Sequence, residues 1–145
     1  MKKIVVTILL ASCTSVVLTA QDIKAKDVPA IVKDALLKKY PDAVKISWEK
    51  ENGNYEANWG GRSGEDNSAQ FSPTGAFVEY EQAIAINQLP AAVAVYVKAH
   101  YNNVAIKEAG KITDAAGTVS YEAEVKGKDL IFDANGNFIK VNAGD

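Results

Sequence analysis

The chain has 145 residues, 16 of them basic and 18 acidic, and a formal net charge of −2 at pH 7. This mildly acidic balance includes no basic stripe, which makes nucleic acid a poor partner, and a single cysteine excludes a disulfide-stapled fold. The length suffices for one ordinary domain or for two small subdomains that share a core.

The first twenty residues have the anatomy of an export signal, with two lysines followed by an apolar run that ends at Ala20. Cleavage there would leave 14 basic against 18 acidic residues, a net charge of −4. We therefore expect a signal peptide over residues 1–20 and a periplasmic or secreted protein. In the alternative, Leu10–Cys13 is a lipobox and Cys13 carries a lipid anchor, but the apolar stretch after Cys13 favours ordinary cleavage. No second apolar stretch approaches the length of a membrane span.

Apolar periodicity predicts a helix soon after the signal. One helix face is apolar at Val28, Ile31, Val32, Ala35, Leu36 and Tyr40. Pro29 suits the first helical turn, because its missing N–H is not needed there, and Pro41 ends the helix after Tyr40.

The pattern then changes to the alternation of strands. Val44, Ile46 and Trp48 alternate with polar residues, which predicts a strand with one buried face. Asn52 and Gly53 form a strong hairpin turn, because both tolerate positive φ. The strands predicted in this half are Val44–Glu51, Tyr55–Trp59, Ser68–Ser72 and Ala76–Ile84.

The second half of the chain repeats the first. One constant offset places Pro90 on Pro29 and Phe132 on Phe71, whereas Tyr121 matches Tyr55 at a slightly larger offset. The difference indicates insertions at turns, as a duplicated structural unit shows. The strands predicted after the second helix are Val104–Thr113, Val119–Lys126, Asp129–Asp133 and Asn137–Val141.

We predict an α+β fold built from two tandem α-β-β-β-β repeats, at about 27–82 and 88–142, inside one domain over residues 21–145. A single helix on a small antiparallel sheet buries little apolar surface. Two copies side by side are therefore expected to bury a shared core, with both helices packed on the antiparallel sheet.

Three motifs resemble those of PepSY-like domains, which occur in exported bacterial proteins and are similar in fold to the beta-lactamase inhibitor protein. The motifs are LPxxV with a later Tyr on the helix, NGxYEA after the strand that contains Trp48, and F[SD]xxGxF near the end of each repeat. The resemblance covers Asp27 to about Val141. It implies a non-enzymatic periplasmic or secreted protein with a curved sheet face, and some relatives that inhibit enzymes. No residue matches the contact loop of a particular inhibitor.

The candidate partner-binding residues are aromatic or lie in one loop. Trp48 and Trp59 are expected to pack under the helix, and the alternative places one of them on an exposed face as a binding anchor. The loop between Gly60 and Asn67 contains the only arginine, Arg62, and the adjacent acids Glu65 and Asp66. Its ordinary interpretation is a solvated connection, and its functional interpretation is a docking loop.

Other patterns point away from metal sites and catalysis. The segment Asp133–Asn137 alternates oxygen side chains as calcium loops do, but lacks their length and final Glu, so a hairpin turn is favoured. His100, the only histidine, has no nucleophile or zinc partners and suits a helix C-terminus. Glu122 and Glu124 share one strand face, but a glycosidase pair needs a deep cleft, for which we expect little room. We predict no metal, no cofactor and no enzyme activity.

The sequence therefore favours an exported binding protein, with an inhibitor-like module as its narrower form, whose partner is a periplasmic or extracellular protein or peptide. In this hypothesis the curved sheet face and the Gly60–Asn67 loop contact the partner. The alternative hypothesis is an envelope protein that binds a small ligand, peptide or ion and inhibits nothing. Oligomeric state is left open by the sequence.

Overall fold

A computed structural model describes residues 21–143. The predicted signal peptide and Cys13 lie outside these residues. The helices are α1 (Ala30–Lys39) and α2 (Ala91–His100), each preceded by a short 3-10 turn, at Ala25–Asp27 and Ile86–Gln88. The strands are β1 (Gln21–Asp22), β2 (Ser47–Glu51), β3 (Asn54–Trp59), β4 (Asn67–Phe71), β5 (Phe77–Ala83), β6 (Ala109–Asp114), β7 (Val119–Glu124), β8 (Lys128–Asp133) and β9 (Phe138–Ala143).

The described strands form one antiparallel sheet in which each strand pairs with its neighbours in the sequence, from β1 to β9. The two repeats meet where β5 pairs with β6, over Glu79–Ala83 and Gly110–Asp114. This arrangement confirms the predicted α+β fold with two tandem units. None of the helices within residues 21–143 is long and apolar enough to cross a membrane.

Each repeat has its own hydrophobic core, which corrects the expectation of a shared one. Val32 and Leu36 of α1 pack against a cluster that includes Ala57 and Phe71. In the second repeat, α2 covers a separate cluster, built from Val93, Val97, Ala123, Val125, Leu130 and Phe132. The continuous element is therefore the sheet, and hydrogen bonding between β5 and β6 joins two small cores.

The helix boundaries follow the sequence closely, with one change of register at the start. Pro29 is the N-cap of α1, one residue before the helix, and its carbonyl accepts the N–H of Val32 at 3.1 Å. Ile31, predicted to be buried, is exposed. It lies over the β4–β5 turn instead, where a Cβ added to Gly75 would meet its carbonyl oxygen at 2.9 Å.

Two strands begin later than their alternation predicts. The strand expected from Val44 starts at Ser47, because Lys45 adopts a positive φ of 56° that interrupts the extended backbone. Val44 is consequently exposed, and Ala43 is buried in its place. The strand expected from Val104 starts at Ala109, after a connection without regular structure.

The predicted β2–β3 hairpin turn is present, and one β-bulge of the sheet occurs in both repeats. Asn52 and Gly53 have positive φ values of 48° and 84°, as the predicted β2–β3 hairpin turn requires. A β-bulge between Gln70 and Phe71 in the β4–β5 pair recurs between Ile131 and Phe132 in the β8–β9 pair. The second bulge falls where the sequence repeat places the counterpart of the first, so the repeat extends to details of the backbone.

Candidate functional site

The sheet face that points away from the helices is polar and mostly acidic. Its residues alternate with the core residues along each strand. We call this surface the concave face and define it by Glu49, Glu51, Glu56, Asn58, Ser68, Gln70, Glu79, Glu81, Gly110, Ile112, Asp114, Glu122, Glu124, Asp129, Ile131 and Lys140.

A hollow of about 870 Å³ lies on this face and spans both repeats. Nine carboxylates and one ammonium group, from Lys107, line it, so it takes half of the 18 acidic residues of the chain. We call it the acidic hollow. Its acidic residues are Glu49, Glu56, Glu65, Asp66, Glu81, Glu108, Glu122, Glu124 and Asp129.

Three pairs of acids stand directly opposite each other on neighbouring strands of the concave face. Glu49 pairs with Glu56 across β2 and β3. Glu124 pairs with Asp129 across β7 and β8. The third pair, Glu79 and Asp114, joins the two repeats across β5 and β6. Like charges directly opposite in an antiparallel sheet repel each other, so each pair needs neighbouring groups to offset the repulsion.

Amide side chains and one lysine offset part of this repulsion. Asn58 donates its amide to Glu49 at 3.4 Å, and Gln70 donates to both Glu51 and Glu56, at 3.2 and 3.5 Å. Lys107 approaches Glu124 at 3.6 Å, but its side chain is 69% exposed, which weakens the ion pair.

The pKa of Glu79 shows the electrostatic character of the junction. Burial is the main cause that raises the pKa of this carboxyl, the neighbouring charge of Asp114 raises it further, and Lys140 of β9 opposes both. Lys140 lies four strands from Glu79 in the sheet order. Residues of β3 and of β7 line the same hollow, so the sheet curves around this face.

The loop between Gly60 and Asn67 forms one rim of the acidic hollow. Tyr80 donates its hydroxyl to the Asn67 side chain at 2.6 Å, and Asn67 donates its amide to the carbonyl of Trp59 at 3.3 Å, which fixes both ends of the loop. Glu65 and Asp66 line the hollow. Arg62 is exposed but lies outside the lining.

Neither tryptophan is positioned as an exposed anchor. Trp48 is 5% and Trp59 9% exposed, and both belong to the first core cluster. The ring of Trp59 packs at a tilt against Tyr40 and Tyr80, at ring-centroid distances of 5.2 and 6.2 Å. The exposed-anchor interpretation is thus wrong for both residues, because alternation directs their rings beneath α1 and away from the concave face.

The segment that resembles a calcium loop is a hairpin turn, as its spacing favours. Asp133 Oδ1 accepts the N–H groups of Asn135 and Asn137 at 2.8 and 2.9 Å, and Oδ2 accepts the Asn137 side chain at 2.8 Å. These hydrogen bonds lower the pKa of Asp133. Between Gln21 and Ala143, no three His, Cys, Asp or Glu side chains are grouped to hold a metal ion.

The histidine and the paired glutamates lie on opposite faces of the sheet. His100 stacks on Tyr96 at the end of α2, with ring centroids 4.2 Å apart, on the helix side of the sheet. Glu122 and Glu124 instead line the acidic hollow. The sequence indicates that these two acids share a strand face, because they are two residues apart in a predicted strand. Their clustering with the acids of other strands depends on how the strands pair, which the sequence does not show.

Comparisons with known proteins agree on the fold. A BLIP-like protein from Bacteroides fragilis is 25% identical, with a TM-score of 0.55 over 81% of this chain and 89% of that one. A DUF2874 family protein from Bacteroides ovatus is 18% identical, with a TM-score of 0.60 over 78% and 85%. A protein from Bacteroides eggerthii that is described as periplasmic is 20% identical, with a TM-score of 0.62 over 79% and 87%.

No protein with a curated description matches the chain. The sequence pattern of the PepSY-like family, described as beta-lactamase-inhibitor-like, matches residues 15–62 and again 58–140. The two matches together span most of the chain and agree with its tandem architecture. The chain therefore belongs to the PepSY-like, beta-lactamase-inhibitor-like family.

Proposed function

We propose that the protein is an exported, non-catalytic binding module whose concave face takes a cationic segment of another periplasmic or secreted protein. The observation that carries this proposal is the set of three acidic pairs, each directly opposed on neighbouring strands of one face. A sheet built only for stability would alternate charges at these positions.

Lysine or arginine side chains of a partner would relieve this repulsion on binding. The acids are already placed, so the partner's cations meet a preformed surface and fewer groups have to be ordered. Opposite charge also accelerates encounter between the two proteins. Both effects depend on charge, so the affinity is expected to fall as salt is added.

The shape of the hollow favours a polypeptide over a single ion. Its volume of about 870 Å³ is spread over both repeats, with walls from the Gly60–Asn67 loop and from the linker at Ile84–Ile86. No compact metal-binding group occurs among the described residues. An extended basic segment fits such a surface, whereas a divalent cation alone would contact only a few of its acids.

An inhibitor-like role is the narrower form of this proposal. The family is described as beta-lactamase-inhibitor-like, and one similar structure is called BLIP-like. Under this form the partner is an enzyme, and the module lowers its activity by covering a basic surface beside the catalytic cleft. The binding step is the same in both forms.

Capture from periplasmic extract tests the proposal with a matched pair of variants. Glu49→Gln/Glu124→Gln removes two charges from the acidic hollow, and Asp34→Asn/Asp42→Asn removes two exposed charges on the helix side. A stoichiometric protein partner should be retained by wild type and by the helix-side variant, and lost from the hollow variant. Equal retention by all three proteins would contradict the proposed surface.

A defined polycation gives a second readout that does not need the natural partner. Titration with decalysine should produce heat with the wild type, and the hollow variant should bind at least about tenfold more weakly. If a small ligand stabilises the protein while decalysine and extract proteins do not bind, the alternative of a small-ligand protein is supported instead.

A further inference from the structure

The final strand, β9, is the exposed counterpart of a strand that lies inside the sheet. The offset that relates the two repeats places β9 on β5, and the bulge beside each strand falls at matching positions. β5 lies between β4 and β6, whereas β9 ends the described sheet with β8 as its neighbour. One element therefore occurs in two environments, and the covered copy shows that this edge can pair with a further antiparallel strand.

The repeat also runs to the opposite end of the sheet. Ile23 donates its N–H to Trp48 at 2.9 Å, and Ile84, its counterpart in the repeat, donates to Ala109 at 2.9 Å. β1 thus corresponds to the last two residues of β5. The correspondence begins at Gln21, earlier than the boundary drawn from the helix motifs.

The edge of β5 that faces away from β4 forms backbone hydrogen bonds with a further strand. It pairs with β6 throughout its second half, and at the bulge the carbonyl of Val78 accepts the N–H of Ala115 at 2.9 Å. The matching positions in β9 are Ile139, for Val78, and Val141, for Tyr80. Backbone groups at Ile139 and Val141 therefore point outward, where a further strand would bind.

Apolar side chains mark the same edge. Phe138, Ile139 and Val141 are 36%, 54% and 43% exposed, whereas the corresponding residues of β5 are half-buried. The other end of the sheet differs, because the described part of β1 carries a charged residue, Asp22, and no apolar one. Short, charged edges resist further pairing, and longer apolar edges invite it.

We propose that β9 pairs with β9 of a second copy of this chain, in antiparallel orientation about a two-fold axis at Val141. This register places Val141 against its own copy and Lys140 against Asn142 of the partner. Shifting the axis to Lys140 would oppose two ammonium groups, which is unfavourable. β9 contains no acidic residue, so no carboxylates of the two β9 strands oppose each other.

Continuity with the internal junction supports a second copy as the occupant. The β9–β9 pair extends the nine-stranded sheet by the same antiparallel hydrogen bonding that joins β5 to β6. A two-fold contact is self-complementary and closes at a dimer, so it leaves no acceptor edge of this kind open. In this register the exposed side chain of Val141 packs against Val141 of the other copy.

Sedimentation of the purified protein with matched variants tests the dimer. Val141→Lys places two cations across the axis and should raise the dissociation constant at least about tenfold. Val95→Lys makes the same change at an exposed position on α2 and should leave the dimer intact. Circular dichroism checks that both variants remain folded. A wild-type protein that stays monomeric at about 1 mM overturns the proposal and assigns the edge to strands of other proteins.

A cysteine scan tests the register without relying on a disruptive variant. With the cysteine of the signal region removed, Val141→Cys should form a cross-linked dimer on mild oxidation, because the two sulfurs face each other across the axis. Ile139→Cys should cross-link far less, since its partner in this register is Ala143. Equal cross-linking at both positions, or a dimer that Val141→Lys leaves unchanged, contradicts the β9–β9 contact.

Discussion

The two repeats share part of their core residues and differ at most positions of the concave face. Val32 and Val93, Ala57 and Ala123, and Phe71 and Phe132 are matching residues in the two cores, each at most 1% exposed. On the concave face most matching positions change chemistry, although Glu56 and Glu122 are identical. The differing pairs are Glu49 and Gly110, Glu51 and Ile112, Asn58 and Glu124, Ser68 and Asp129, Gln70 and Ile131, and Glu79 and Lys140.

This difference separates the requirements of folding from those of binding. Matching core residues keep each helix on its strands, because close-packed interiors tolerate little change in volume. No such constraint holds on the concave face, where the two halves complement each other. Glu81 illustrates this, since its carboxylate lies over Gly110, which has no side chain to exclude it.

The largest predicted loss of stability comes from removing the phenylalanine that both cores share. Phe71→Ala and Phe132→Ala should each lower the free energy of unfolding by about 3–5 kcal/mol, because each removes a buried ring and leaves a cavity. Urea denaturation of both variants measures this loss. Similar values for the two would show that the repeats contribute equally to stability.

An exposed helix residue provides the control for this comparison. Leu37→Ala removes an apolar side chain of similar character from the outer surface of α1 and should change stability by less than about 1 kcal/mol. If either phenylalanine variant loses no more than this control, the corresponding core is not packed as described.

The next prediction concerns how α2 rests on the β8–β9 turn. Gly136 has a φ of 84°, and a Cβ added there would meet Pro90 Cβ at 2.9 Å. Gly117 has the same φ with nothing within 4 Å. Both substitutions to alanine should cost about 1–2 kcal/mol through backbone strain, and Gly136→Ala should cost more because it also displaces α2. Thermal denaturation of the pair measures the difference, and equal losses would contradict the helix–turn contact.

Local patterns predicted most of this fold. Periodicity located both helices, and alternation with turn residues located eight of the strands, since these signals depend on neighbouring residues. β1 was missed because two residues carry no periodic signal. The late start at Ser47 was missed because it depends on the positive φ of Lys45, which lysine rarely adopts.

The site could be predicted only in part. Alternation placed Glu122 and Glu124 on one face, and composition marked Glu65 and Asp66 as loop acids. Their convergence with Glu49 and Glu56 depends on strand register and on the curvature of the sheet, which are tertiary properties. Trp48 and Trp59 are candidate anchors by residue type, because aromatic residues dominate many interfaces. Large aromatic side chains are equally common in cores, which is where both tryptophans lie.

A smaller effect should appear in the pH dependence of stability. The folded-state pKa of Glu79 lies above its usual value of 4.5, mainly through burial, so its stabilising contribution is present below about pH 4.5 and is lost as pH rises through the folded pKa. Glu79→Gln should therefore reduce the loss of stability between acidic and neutral pH. Urea denaturation at several pH values checks this, and an unchanged pH profile would contradict the buried carboxyl.

Alkaline pH gives a matching test in the aromatic group of the first repeat. Burial, with a further contribution from Tyr80, raises the pKa of Tyr40 to about 12. Its contribution to stability is complete below pH 10, the usual value, and is lost as pH rises toward about 12. Tyr40→Phe should flatten this part of the stability profile, and an unchanged profile in urea denaturation would contradict the buried hydroxyl.

The most direct test of the account is the stability of the protein when opposed acids are neutralised. In Glu49→Gln/Glu124→Gln the amides keep the size of the side chains and remove one charge from each of two acidic pairs. We predict that this double substitution raises the free energy of unfolding in low salt by about 0.5–2 kcal/mol, and that the increase becomes smaller as salt is added. The helix-side variant Asp34→Asn/Asp42→Asn is the control and should leave the free energy of unfolding unchanged. If the free energy of unfolding of Glu49→Gln/Glu124→Gln is likewise unchanged, or lower, the opposed acids do not destabilise the fold, and the proposed binding surface is contradicted.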